Sequence, residues 1–272
     1  MIIGRIAGAV ARKSLSGGAK VVGKRPVVAL LKRVNSGLRA LTAATHNLQM
    51  FAEWNIPPAP EWFDHYLDLH EQWHRTGNPL WLERGCFGLL AIGAQARVLE
   101  LCCGDGFNAR HFYAIRAGEV VACDFDSTAI THAQRYNAAP NVEFRVADIR
   151  DNMPEGQFDN IVWDAAIEHF TEAEIDKILR SIRGRLRPGG VLSGYTLVER
   201  ADHVKHLEHH EYEFKSKEDL LRFFEPHFRN VTVFETVYPT RHNLYFWASD
   251  GEVPFGDGWQ AQVRQRAAAD AC

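Results

Sequence analysis

The chain has 272 residues, 46% of them hydrophobic and 24% charged, with a formal net charge of −3 at pH 7. A chain of this size and composition can bury a substantial core, and it reads as one large domain with appendages, without internal repeats or a long low-complexity tract. The small net charge hides an asymmetry: residues 1–50 hold nine Lys or Arg and no acid, which leaves 22 bases against 34 acids in the remainder, a balance of −12. An acidic body is a poor clamp for polyanions, so no nucleic-acid partner is expected.

In residues 1–56, Val27, Leu30, Leu31, Val34, Leu38 and Leu41 recur at helical spacing, with Lys32, Arg33 and Arg39 elsewhere on the turn. This basic extension fits an amphipathic helix lying on anionic lipid. A helix packed on the domain, a disordered tail and an organellar presequence remain open alternatives. Arg5 and Arg12 interrupt any secretory core, and no run approaches the roughly 18 apolar residues of a spanning helix. Cys86, Cys102, Cys103, Cys123 and Cys272 suggest no disulfide framework or paired zinc knuckle. The expected location is therefore cytoplasmic, peripheral to a membrane where the basic segment engages lipid.

Residues 57–96 are expected to form a helical lid leading into the core. Trp62, Tyr66, Leu69 and Trp73 make an apolar helical stripe and Trp81 follows, which places Trp73 and Trp81 among the expected substrate-binding residues. The same stretch contains His70-Glu71-Gln72-Trp73-His74, a match to H-E-x-x-H. The extended pattern requires a third His where Leu80 stands, so a zinc hydrolase using His70, Glu71 and His74 is a remote alternative.

From residue 97 to 250 the pattern alternates strands near 98, 120, 142, 160 and 191 with helices near 107, 128, 172 and 216, then ends in strands near 231 and 243. Such alternation implies a doubly wound, mostly parallel seven-stranded α/β sheet with helices on both faces. Val98-Leu-Glu-Leu-Cys-Cys-Gly-Asp-Gly106 is an apolar run ending in a Gly-spaced acidic loop, and Asp124 closes the next apolar run 20 residues after Gly104. A Gly-rich turn followed by an acid at that distance fits a nucleoside cofactor whose ribose hydroxyls bind the acid. A dinucleotide is disfavoured, because Ala109 takes the third glycine position and the Glu100 carboxylate would repel phosphate. A cationic ligand without phosphate, such as S-adenosylmethionine, suits the loop better.

At these residues the chain resembles the class I S-adenosylmethionine-dependent methyltransferases, over about residues 97–249. Glu100, Gly104 and Gly106 match the family's acid-x-Gly-x-Gly-x-Gly motif, with Cys102 in place of the first glycine. The resemblance implies a Rossmann-like methyltransferase fold with S-adenosylmethionine as cofactor and no metal. It places Asp124 on the ribose, Phe125 over the adenine, Asp148 with its neighbour Ile149 at the adenine amino group, and Asp164 at the methionyl moiety or the acceptor. Phe158-Asp-Asn-Ile-Val-Trp-Asp-Ala-Ala-Ile-Glu-His-Phe170 and Leu186-Arg-Pro-Gly-Gly190, followed by a strand Val191–Thr196, complete the series.

His169 falls where the family often places a residue facing the methyl group, so it is the candidate general base, beside Glu168. Ubiquinone-type relatives carry Glu-x-x-Glu-His here to hold a metal, whereas this chain has Ala165 in the first position. Tyr195, at the end of a strand, is a further candidate to reach the acceptor. An insertion over about 197–215 carries His206, His209 and His210. The family that the chain resembles inserts acceptor-binding elements here, so a polar acceptor pocket is the preferred reading, ahead of a solvated His-rich loop and, last, a metal site, for which no zinc-like ligand spacing stands out. Ser216, Glu218 and Asp219 should cap the helix after it. The Asn-Pro-Pro-Tyr type of motif is absent at 163–166, which favours a small-molecule acceptor such as a sugar, a phenol or quinone, or a lipid-linked intermediate. The remaining alternative is a cofactor-binding protein without transferase activity, acting as a partner or sensor. Residues 251–272 are read as a tail, and the sequence does not define the oligomeric state.

Overall fold

The computed structural model describes residues 24–54, 77, 79–239 and 241–254, which fall in two units, 1–71 and 72–272. In the first unit the described element is helix α1 (Lys24–Trp54). Leu30, Val34, Leu38, Leu41 and Leu48 along it are exposed. Thr42 and Thr45 fold their hydroxyls back onto the carbonyls of Leu38 and Leu41, which keeps these polar side chains satisfied within the helix. Among the described residues no helix is long and apolar enough to cross a membrane.

The second unit is built on seven strands: β1 (Arg97–Leu101), β2 (Glu119–Asp124), β3 (Val142–Val146), β4 (Phe158–Asp164), β5 (Leu186–Leu197), β6 (Asn230–Tyr238) and β7 (Arg241–Ser249). Their order in the sheet is β3-β2-β1-β4-β5-β7-β6. The first five strands pair in parallel, and β7 enters antiparallel between β5 and β6. This is the expected mostly parallel α/β sheet, with the second half of a terminal hairpin inserted beside β5.

Alternate residues of the central parallel strands face opposite layers, both covered, which is why Val120–Cys123 and Ile161–Trp163 read as unbroken apolar runs. Leu99, Leu101, Val121, Ile161, Trp163 and Leu192 pack with Ile175, Ile178, Leu179 and Ile182 of α5 (Glu172–Arg185) and with Leu220 and Phe224 of α6 (Lys217–Phe224). Val98, Val120, Ala122 and Val162 pack on the other face with Ala109 of α3 (Phe107–His111), with Tyr113 and with Ile130 and Ala133 of α4 (Ser127–Tyr136). Each fully buried Ile, Leu or Val contributes about 1.5–3 kcal/mol. A third cluster joins α2 (Leu80–Ala91) to the hairpin, where the Phe87 ring meets Phe234, Tyr245 and Trp247 edge-on at 4.7–6.3 Å.

Side chains fix where the helices begin. Asp126 accepts the Thr128 amide at the start of α4, Thr171 and Glu174 form a reciprocal capping box on α5, and Ser216 accepts the Asp219 amide on α6. The Ser216 cap is the one expected from sequence. Strand β5 departs from its expected span, Val191–Thr196. Leu186 already pairs with Phe158, and the register shifts before Val191 meets Asn160, so Arg187–Gly190 bulge inside the strand instead of preceding it.

Candidate active site

The order of the sheet reverses at β1, which lies between β2 and β4, and the C-terminal ends of these three strands frame a crevice of the kind where α/β sheets bind ligands. Glu100 and the loop after β1, Asp124 at the end of β2 and Asp164 at the end of β4 converge there. Glu100, Asp105, Asp124 and Asp164 are all buried. Burial pushes the Glu100 carboxyl well above the usual carboxylate range, and the nearby charges of Asp164 and Asp105 push it further, against the pull of Arg84. One Glu100 oxygen, Oε2, is buried with no hydrogen-bond partner among the described residues. A buried acceptor without a donor is costly, and a cationic donor arriving in the crevice would relieve it.

The loop backbone prepares the same opening. Gly104 and Gly106 have φ of +53° and +75°, the left-handed region that side chains disfavour. A Cβ on Gly106 would lie 2.4 Å from the Phe144 ring, whereas one on Gly104 would meet nothing within 4 Å. Gly106 is therefore required by packing as well as by φ, and the space at Gly104 is free for a ligand to approach the backbone. Cys102 also lies in the left-handed region, at φ +55°. A non-glycine there is strained, by on the order of 1 kcal/mol or more. Burial raises the thiols of Cys102 and Cys103, which keeps them protonated and unreactive.

Asp124 ties this loop to β2. Its Oδ2 accepts the Gly104 amide at 2.9 Å and its Oδ1 accepts the Asp126 amide at 2.9 Å. Burial raises its carboxyl, while these amide bonds oppose the shift. Phe125, next to it, is 68% exposed and leaves a broad aromatic face at the rim. Ile149 is buried below. Asp148 is committed locally: it accepts the Arg150 amide and pairs with the Arg150 guanidinium at 2.6–3.1 Å, which holds its carboxyl below the usual range. An exposed ion pair of this kind is worth at most about 1 kcal/mol.

Asp164 is held by residues that no sequence pattern marks. Arg84 donates to its Oδ2 through Nε and Nη2 at 2.8 and 2.6 Å, and Asn108 Nδ2 donates to the same oxygen at 3.2 Å. The Arg84 guanidinium lies 4.5 Å from the Trp81 ring and 5.0 Å from the Tyr195 ring. Trp81 is thus buried beneath the guanidinium. The Tyr195 hydroxyl, read from sequence as reaching the acceptor, is directed elsewhere: it donates to Asn243 Oδ1 at 3.2 Å and accepts from Arg241 at 2.8 Å. Tyr195 is fully buried and enters the site as the ring under Arg84.

The insertion after β5 returns to β4. The amides of Glu211 and Tyr212 donate to the Glu168 carbonyl at 2.9 and 3.0 Å, which locks the two segments together. This brings the His209 ring to 5.5 Å and the His210 ring to 4.8 Å from His169. Glu168 is buried, with Oε2 accepting the Thr196 hydroxyl at 3.0 Å. Three of the expected catalytic and acceptor residues, Glu168, His169 and His210, are thus gathered, with His209 against them. His206 stands one step back, with Nδ1 3.2 Å from Glu213, a residue that no sequence pattern marks. Trp73 and the His70, Glu71 and His74 set lie outside the described residues.

The family model described as a methyltransferase domain matches residues 98–190. An uncharacterized methyltransferase of Synechocystis is 31% identical over 106 residues, covering 38% of this chain and 48% of that protein. A probable S-adenosylmethionine-dependent methyltransferase of Mycobacterium tuberculosis is 31% identical over 156 residues, covering 56% and 50%. The chain thus spans about half the length of these curated relatives. The solved structure of the N-methyltransferase NodS of Bradyrhizobium japonicum, in complex with S-adenosylhomocysteine, superposes with a TM-score of 0.52 at 19% identity, over 70% of this chain and all of that one.

The raised Glu100 carboxyl has a consequence for stability. The unfolded chain ionises this group at the ordinary glutamate value while the folded chain keeps it protonated, so stability falls as pH rises from about 4 toward the folded value. Glu100→Gln removes that penalty. Urea unfolding at pH 5 and pH 8 should show the variant gaining on the wild type at the higher pH; a difference that stays constant or reverses contradicts the assigned burial effect.

Proposed function

We propose that this chain, a member of the class I S-adenosylmethionine-dependent methyltransferase family, transfers a methyl group from S-adenosylmethionine to a small-molecule acceptor. The observation that carries the reading is the set of buried carboxylates around the opening at Gly104, with one Glu100 oxygen awaiting a donor. Such a site repels phosphate and attracts a ligand bearing a sulfonium and an ammonium group. The cofactor, when bound, supplies an activated methyl group that an acceptor lone pair displaces in line.

The chain's own residues then divide the work. Asp124 is assigned to the ribose hydroxyls, Phe125 to the adenine face, and Glu100 with the Gly104 opening to the cationic methionyl end. Asp164, already paired with Arg84 and Asn108, shapes the floor between that end and the acceptor. His169, half-buried at the edge of its cluster, is the group assigned to take a proton from a hydroxyl or amine acceptor. Positioning and exclusion of water supply much of the remaining rate. The proposed acceptor is a small molecule held beside the 197–215 insertion, since the acidic body argues against a nucleic acid.

For α1 the proposed partner is an anionic lipid surface, on the strength of its exposed Leu30, Val34, Leu38 and Leu41 and of the absence of acids from residues 1–50. The full chain should sediment with phosphatidylserine vesicles at low salt and less so with phosphatidylcholine vesicles; equal recovery with both, or none, removes this contact.

The activity is tested by a labelled-methyl screen across sugars, phenols and lipid-linked acceptors. With the acceptor found, His169→Ala should lower turnover at least about tenfold while cofactor affinity stays within about twofold. Unchanged turnover takes His169 out of the mechanism, and cofactor binding without transfer to any acceptor class favours a sensor or partner role instead.

A further inference from the structure

We propose that Glu168, His169 and His210 form a binding site for one divalent transition-metal ion. Each residue offers a ligand atom, and these atoms all lie within 4.8 Å of one another. Two atoms sharing an ion at about 2.1 Å stand roughly 3 to 4.2 Å apart, so the cluster has only to tighten slightly around an ion.

Three features make this a built site instead of a chance gathering of polar groups. First, the two segments that carry the ligands are joined by main-chain bonds, the Glu211 and Tyr212 amides to the Glu168 carbonyl, so the approach of His210 to Glu168 does not depend on a flexible side chain. Second, each candidate ligand is oriented from behind. Glu168 Oε2 accepts the Thr196 hydroxyl, His169 Nδ1 lies 3.4 Å from the His209 carbonyl, and His210 Nδ1 lies 2.5 Å from Glu213 Oε1. The last is a carboxylate–histidine pair, the arrangement that fixes the tautomer and turns the other ring nitrogen toward a metal. Third, the burial is graded: Glu168 and His210 are fully buried while His169 is half-buried, so an ion there would keep an outward side for a further ligand.

Two imidazoles and one carboxylate select zinc, cobalt, manganese or iron over magnesium and calcium. Three protein ligands with an open position are the arrangement of catalytic, not structural, metal sites. Resting on the methyl-transfer reading above, the ion's role would be to bind an acceptor hydroxyl and lower its pKa. The hydroxyl proton passes to solvent, the oxygen forms a bond to the methyl carbon, and the methyl–sulfur bond breaks with its electron pair retained by sulfur. With the ion bound, the His169 lone pair serves the ion, solvent takes the proton and the acceptor is an oxygen nucleophile; the base role given to His169 above belongs to the ion-free chain.

The site is tested on the full chain by metal removal followed by titration with Co2+ and Zn2+, without cofactor or acceptor, so that its failure is separate from a failure of the methyl-transfer reading. The expected result is about one equivalent of Co2+ bound, with visible absorption bands that Zn2+ displaces and Mg2+ does not. Glu168→Gln and His210→Ala should lower affinity at least about 100-fold, and Glu213→Gln about 10- to 100-fold. His203→Ala, at an exposed His outside the cluster, should leave affinity unchanged. Should the buried variants fail to fold by circular dichroism, His169→Ala and Glu213→Gln carry the test. Absence of a Co2+ spectrum in the folded wild type, or equal losses for His203→Ala and His169→Ala, overturns the proposal.

Discussion

Burying carboxylates at the ends of adjacent parallel strands is the constraint on which the site depends. Unpaired charges in such a place are costly, so each acid is either compensated or kept protonated. Asp124 is compensated by the Gly104 and Asp126 amides and Asp164 by the Arg84 guanidinium and Asn108, while Glu100, lacking such partners among the described residues, has its carboxyl raised well above the usual range until a cation arrives. Replacing any one of these solutions leaves a buried charge or an orphaned donor. The acids are thereby coupled to the loop conformation, and the loop conformation to the glycines that allow it.

Topology explains why the acids meet at all. Because β1 lies between β2 and β4, the loops after three strands that are far apart in the chain open at one crevice. The same logic operates a second time further along the sheet. Strand β5 pairs with β4, and the segment after β5 folds back so that its amides bond to Glu168 just beyond β4. The acid-lined crevice and the histidine cluster are therefore both products of strand ends, one on each side of Asp164.

Much of this was legible in the sequence because parallel strands covered on both faces leave a direct trace. Val120–Cys123 and Ile161–Trp163 are continuous apolar runs whose strands end on Asp124 and Asp164, and Val98–Leu101 is interrupted by Glu100 alone. The Gly104-x-Gly106 spacing likewise reports a backbone requirement, and Cys102 shows the same requirement met by a residue that pays for it in strain. Arg84 and Asn108 were not legible, since a charge or an amide on a helix says nothing about which distant strand end it reaches. Glu213, and the meeting of His210 with Glu168 and His169, were hidden for a related reason: ligand spacing along the chain reveals a site only when one segment supplies it, and here two segments do. Tyr195 misled because a tyrosine near a strand end reads the same whether its hydroxyl faces the crevice or, as here, turns toward Asn243 and Arg241. The bulge at Arg187–Gly190 was missed because a Pro-Gly-Gly sequence normally marks a loop before a strand.

The account stands on recognition of a cationic nucleoside cofactor by the crevice at β1, β2 and β4. Its most direct test is calorimetric titration of the full chain with S-adenosylmethionine and S-adenosylhomocysteine, in parallel with Asp124→Asn, which preserves side-chain size. The account predicts one site per chain for both ligands in the wild type and a loss of at least about tenfold in the variant, the scale of one charge-assisted hydrogen bond pair. A folded wild type that binds neither ligand, or equal affinity in the wild type and Asp124→Asn, would contradict it.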